Sequence, residues 1–137
     1  MKKGLSLSAI LLMMVSISFA GAASANSIQW HEYSPSVVQQ AKNANRPIMI
    51  FAMSSTCHWC ENMQNNTFAS PAVVKMVNEN YYPVILHADV DREADIKFHI
   101  ESVPKLLFLS GNGSVKKIYS GYVEPATMMQ YLTGMLP

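Results

Sequence analysis

"SSTCHWCENM", residues 54–63, decides how this chain is read. It holds both cysteines, Cys57 and Cys60, with only His58 and Trp59 between them. Directly ahead of it, "PIMIFAM" (residues 47–53) is a continuous apolar run of strand length. A run that is apolar on both alternating faces predicts a central strand covered on both sides. From Trp59 to Gln64 the residues are compatible with a helix. Cys57 therefore lies where a strand delivers the chain into a helix. In open α/β sheets, function collects at the carboxyl ends of strands.

The elements on either side extend this reading. Ser34-Pro35 is an N-cap followed by a first-turn proline, and Val37, Val38 and Ala41 give the face of a short helix. Ser70-Pro71 repeats the signal ahead of Val73, Met76 and Val77. "YYPVILHADV" is a strand centred on Val84–Leu86, and residues 91–100 read as a short helix. Pro104 precedes the strand "KLLFLS", the turn Gly111-Asn112-Gly113 follows, and "SVKKIYSG" returns antiparallel. Glu124-Pro125 opens a last helix. The predicted order is α, β, α, α, β, α, β, β, α. That is an α/β chain with a central mixed sheet and helices on both faces.

Two cysteines at this spacing on a helix start can close a bridge with little movement. The sulfur of Cys57 is placed near the unpaired N–H groups and positive end of the helix. That favours a thiolate and lowers the pKa from about 8.5. A protonated His58 adds positive charge. Cys60, one turn further in, suits a resolving thiol. The reading is that Cys57 attacks a partner disulfide and Cys60 releases the mixed disulfide.

Other readings of the pair fare less well. Covalent c-type haem requires C-x-x-C-H, and here Glu61 follows Cys60. Structural zinc requires four ligands, and His31, His87 and His99 have no ligand-like spacing. An inert staple closing so short a loop removes little entropy from the unfolded chain. Copper stays open as the alternative, because Cys57, Cys60, His58 and several methionines are soft ligands. Met49, Met53, Met76 and Met128 nevertheless fall on apolar segments, where methionine fills cores. His87 and His99 read as structural histidines. Asp89, Asp91, Glu93 and Asp95 read as a solvated loop and helix start. Trp59 is expected to pack beside the cysteines and to shield or present them.

The first 25 residues differ from the rest: Lys2 and Lys3, then an apolar run from Leu5 to Ala20, then Ala23-Ser24-Ala25. That order is a secretory leader, and the apolar run is too short to span a bilayer. Cleavage after Ala25 leaves residues 26–137 as one domain with no stable membrane insertion. Losing two of 10 basic residues leaves 8 against 9 acidic ones, so no charge run points to nucleic acid. The expected location is periplasmic or otherwise exported, where thiols meet oxidising conditions.

With the C-x-x-C at a strand-to-helix turn and Val103-Pro104 before a later strand, the chain resembles the thioredoxin superfamily. More narrowly, it resembles the small exported thioredoxin-like proteins and the soluble C-terminal domain of the disulfide reductase DsbD. The resemblance runs from Ile28 to Leu136, through "IQWHEYSPSVVQQAKNANRPIMIF", "CHWC", "TFASPAVVKMVNENYYPV", "VPKLLFL" and "YSGYVEPATMMQYL". It implies a thioredoxin fold, no bound cofactor, and protein thiols or disulfides as partners, with a membrane disulfide reductase as electron donor. It implies Cys57 as nucleophile and Cys60 as resolving cysteine. Pro104 matches the cis-proline facing the disulfide, and Val103 offers backbone hydrogen bonds to an extended substrate. Two departures stand out. Many members carry a buried acid six residues ahead of the first cysteine, where this chain has Phe51, so Glu61 or water has to serve as proton relay. Many have Lys or Arg after the second cysteine, where this chain has Glu61. Its carboxylate opposes His58, so these residues do not sign the redox poise; the resemblance favours a reductant or electron shuttle, with oxidant and isomerase open.

Overall fold

Ile48–Met53 is the middle strand of a five-stranded sheet in the computed structural model, which describes residues 25–136. The predicted leader, apart from Ala25, lies outside the described residues. Along the chain the elements are β1 (His31–Glu32), α1 (Pro35–Asn43), β2 (Ile48–Met53), α2 (His58–Asn62), α3 (Pro71–Asn80) and β3 (Tyr82–His87). Then come α4 (Arg92–Phe98), β4 (Lys105–Leu109), β5 (Val115–Ser120) and α5 (Pro125–Met135). A π-helical turn, Met63–Thr67, prolongs α2. The sheet order is β1-β3-β2-β4-β5. β3 runs parallel to β1 and β2, while β4 is antiparallel to β2 and to β5.

Alternation along β2 explains its two-sided cover. Met49 and Phe51 join a cluster with Cys60, Met63, Val73, Val77, Met128 and Leu132, from α2, α3, α5 and the π turn. Ile48, Ile50 and Ala52 join Ala41, Ala94 and Phe98, from α1 and α4, on the other face. A strand hydrophobic at every position is what such a double burial requires.

Two elements depart from expectation. β1 is a two-residue edge strand whose side chains are both exposed, so no hydrophobic period marks it. Ser70 stands at the N-cap of α3 but makes no side-chain capping bond, whereas the Ser34 hydroxyl accepts the Val37 N–H at 3.2 Å. At the other end of α3, the Arg46 guanidinium donates to the carbonyls of Asn78 and Tyr81. Tyr81 is fully buried, and its hydroxyl donates to the Leu132 carbonyl of α5 at 2.5 Å. Burial pushes its pKa up to about 12, so it stays a neutral donor.

Candidate active site

β2 ends at Met53, and residues 54–56 lead to the cap of α2. Cys57 is the N-cap of that helix, with φ −88° and ψ 100°. Its sulfur accepts the Cys60 N–H at 3.1 Å, the place a serine or aspartate oxygen takes at other helix starts. A disulfide joins Cys57 and Cys60, whose Cα atoms are 5.2 Å apart. Cys57 is half-buried, whereas Cys60 is fully buried in the core cluster. A partner thiol or disulfide therefore meets Cys57 first.

The other side chains singled out from the sequence gather around this pair in part. His58, Trp59 and Glu61 are exposed on α2. Trp59 does not shield the cysteines by burial: it is 56% exposed, with its ring 5.5 Å from Tyr122 and 5.9 Å from His58. The Val103-Pro104 peptide is cis. Val103 packs against the cluster that holds Cys60, and the Pro104 carbonyl accepts the Gly121 N–H at 2.9 Å, drawing the Tyr122 loop to this end of the sheet. Beside Cys57 a cleft of about 330 Å³ opens between Met53, Ser55, Cys57, His58, Glu61 and Gln64. His87 and His99 lie away from that cleft. His87 Nε2 is 3.5 Å from the Glu32 carboxylate, and His99, a left-handed C-cap, accepts Lys105 Nζ through its carbonyl. Among the described residues no three His, Cys, Asp or Glu side chains are grouped to hold a metal ion.

The family model Thioredox_DsbH, described as "Protein of unknown function, DUF255", matches residues 11–133. The chain belongs to the Thioredox_DsbH family. Over 68 residues, half of its length, it is 37% identical to an uncharacterised protein of Caenorhabditis elegans and 34% to spermatogenesis-associated protein 20 of the mouse. The chain covers only 9% and 8% of those proteins. Among solved structures, a thioredoxin from Thermus thermophilus superposes with a TM-score of 0.69 at 18% identity, covering 79% of this chain and 86% of that one. A structure described as DsbH oxidoreductase gives 0.67 at 18%, covering 82% and 87%. The fold of this Thioredox_DsbH chain is thus the thioredoxin fold.

Three residues near the Thioredox_DsbH disulfide escaped the sequence reading. Asp89 is exposed in its loop, as expected, but its carboxylate has a partner. Its carboxylate accepts both the Ser55 N–H at 2.9 Å and the Ser55 hydroxyl at 2.6 Å, pinning the loop that leads to Cys57. The signal lay in strand pairing. Met53 is in register with His87, so the residues two further along each strand fall side by side. Thr67, at the end of the π turn, is fully buried and donates its hydroxyl to the Val123 carbonyl. That bond ties the π turn that prolongs α2 to the loop carrying Tyr122, the third residue, which packs on Trp59.

The hydrogen bonds from Ser55 hold the Asp89 carboxyl below its ordinary value of 3.8. A carboxylate depressed in the folded state contributes its tie above the unfolded value and loses it as pH falls through the lower folded value. An NMR titration following the Ser55 amide should therefore show a midpoint below 3.8, and Asp89→Asn should remove it. A midpoint at or above 3.8 would show that the carboxylate is not held.

Proposed function

We propose that the chain is an exported thiol–disulfide oxidoreductase in which Cys57 is the nucleophile and Cys60 the resolving cysteine. One observation carries the reading: a disulfide at the strand-to-helix junction with one sulfur open to a partner and the other buried behind it. In the reducing direction the Cys57 thiolate attacks one sulfur of a partner disulfide and expels the other as a thiolate. The Cys60 thiolate then attacks Cys57, expels the second partner sulfur, and restores the Cys57–Cys60 bond. Two electrons pass to the partner, and a donor must return them.

Each neighbour has a role in this scheme. The N–H groups at the start of α2 stabilise the Cys57 thiolate. His58 adds to that effect when protonated, and Glu61 opposes it. The cis Val103-Pro104 segment offers backbone to an extended partner, and the exposed Trp59–Tyr122 pair offers it an aromatic surface. No cofactor takes part. The leader ending at Ala25 supports a periplasmic or otherwise exported location, and the resemblance to the DsbD C-terminal domain favours a reductant or shuttle fed by a membrane disulfide reductase.

The test is insulin reduction in the presence of dithiothreitol, paired with a measured reduction potential. Turnover together with a potential of about −200 mV or lower supports the reductant reading. A potential near about −120 mV makes the protein an oxidant instead. Tight stoichiometric Cu(I) binding with no turnover would favour a metal-carrying role.

A further inference from the structure

The cleft beside Cys57 carries a charge that a bound substrate would meet. Among the described residues that line it, Glu61 alone bears a carboxylate and His58 alone a basic group, with no lysine or arginine among them. Ser55, also in the lining, holds the carboxylate of Asp89. Glu61 lies one helical turn beyond Cys57, its N–H donating to the Cys57 carbonyl at 3.2 Å. Residues at that spacing share a helix face, with Cβ atoms about 5–6 Å apart. A group two or three bonds from a sulfur joined to Cys57 therefore falls within reach of Glu61.

From this geometry we infer that the cleft selects disulfides carrying a cationic group within a side chain's length of the attacked sulfur, with Glu61 as the specificity-determining residue. The inference rests on the oxidoreductase reading and names its substrate class. Two sources present that chemistry: a small aminothiol disulfide, or a protein disulfide flanked by Lys or Arg. In either case the bond changes are those of exchange. Cys57 bonds to the sulfur that lies near the cation and the other sulfur leaves as a thiolate; Cys60 then attacks Cys57, and the cation-bearing sulfur leaves as the second thiolate.

The experiment is a charge ladder. The reduced protein is oxidised at pH 8 by cystamine (cationic), 2-hydroxyethyl disulfide (neutral) and 3,3′-dithiodipropionate (anionic), and the rates are expressed relative to the same ladder with free dithiothreitol. Cystamine should exceed the neutral disulfide, and the neutral disulfide the anionic one, by about three- to fivefold each, the scale of one screened contact between unit charges. The steps should shrink in 1 M salt and vanish in Glu61→Gln. A structural effect of Glu61, or an effect on the Cys57 thiolate, would move all three rates by one factor and leave the ratios alone. A second arm uses two cystine peptides differing only in Lys or Glu beside the cysteine. A preference there assigns the site to protein segments, and a preference confined to the small disulfides assigns it to those. Flat ratios, or ratios that survive Glu61→Gln, overturn the inference while leaving exchange itself intact. If even the neutral disulfide fails to oxidise the protein, the oxidoreductase reading falls and takes this inference with it.

Discussion

Cys60→Ser should accumulate mixed disulfides between Cys57 and partner proteins, whereas Cys57→Ser should trap nothing and lose insulin-reducing turnover by about 10³-fold or more. The asymmetry follows from burial. Cys57 keeps solvent exposure and caps the helix, while Cys60 is enclosed by the core. In the proposed exchange a partner sulfur reaches the first, and the second releases it. Serine at position 60 also places a hydroxyl in an apolar cluster, so Cys60→Ala is the companion variant and should trap the same partners. The stability cost should be small, because the bridge closes a loop of only four residues. Loss of turnover with a nearly unchanged melting temperature therefore reports chemistry. In the reduced wild type, iodoacetamide should label Cys57 well below the pH of about 8.5 at which a free thiol reacts, and Cys60 later. Equal labelling of both at ordinary thiol pH, or trapping by Cys57→Ser, would reverse the assignment.

What could be read in advance was whatever hydrophobic pattern or local chemistry writes into neighbouring residues. The "PIMIFAM" run is apolar at every position because β2 is buried on both faces, and that property needs no knowledge of its partners. The C-x-x-C pair declares its place because a strand's end and a helix's start both show in the adjacent residues. The partner of Asp89, an exposed loop acid as expected, was hidden for the opposite reason. Acids that suit a helix start surround it, and Asp91 does cap α4 by accepting the Ala94 N–H at 3.0 Å. The role of Asp89 appears only when β3 lies parallel to β2 and carries its loop beside Ser55, 34 residues away. β1 was missed because two exposed residues at a sheet edge have no period to detect. Ser70 shows the limit of local signals. The Ser-Pro pair that marks α3 is the same as the pair that marks α1, yet only Ser34 makes the capping bond.

Thr67 is the other residue whose importance is purely tertiary, and Thr67→Val is the sharper test of how the site is assembled. Valine keeps the shape and removes the hydroxyl, so the buried Val123 carbonyl loses its donor. An unsatisfied buried acceptor costs about 1–3 kcal/mol, which should lower the urea midpoint by about 1 M. The functional consequence should be selective. Val123 follows Tyr122, and Tyr122 is the ring against which the exposed Trp59 rests. Releasing that loop should raise KM for a protein disulfide while leaving the rate with 2-hydroxyethyl disulfide, which needs only Cys57 and Cys60, within about twofold of wild type, since the cysteines stay on the same helix start. Thr67→Ser keeps the hydroxyl and loses one buried methyl, so it should retain the protein-substrate KM while giving up about 1 kcal/mol of stability. If Thr67→Val and Thr67→Ser behave alike, the hydroxyl is not the tie. If both substrates slow together, the π turn supports the disulfide itself rather than the aromatic surface beside it.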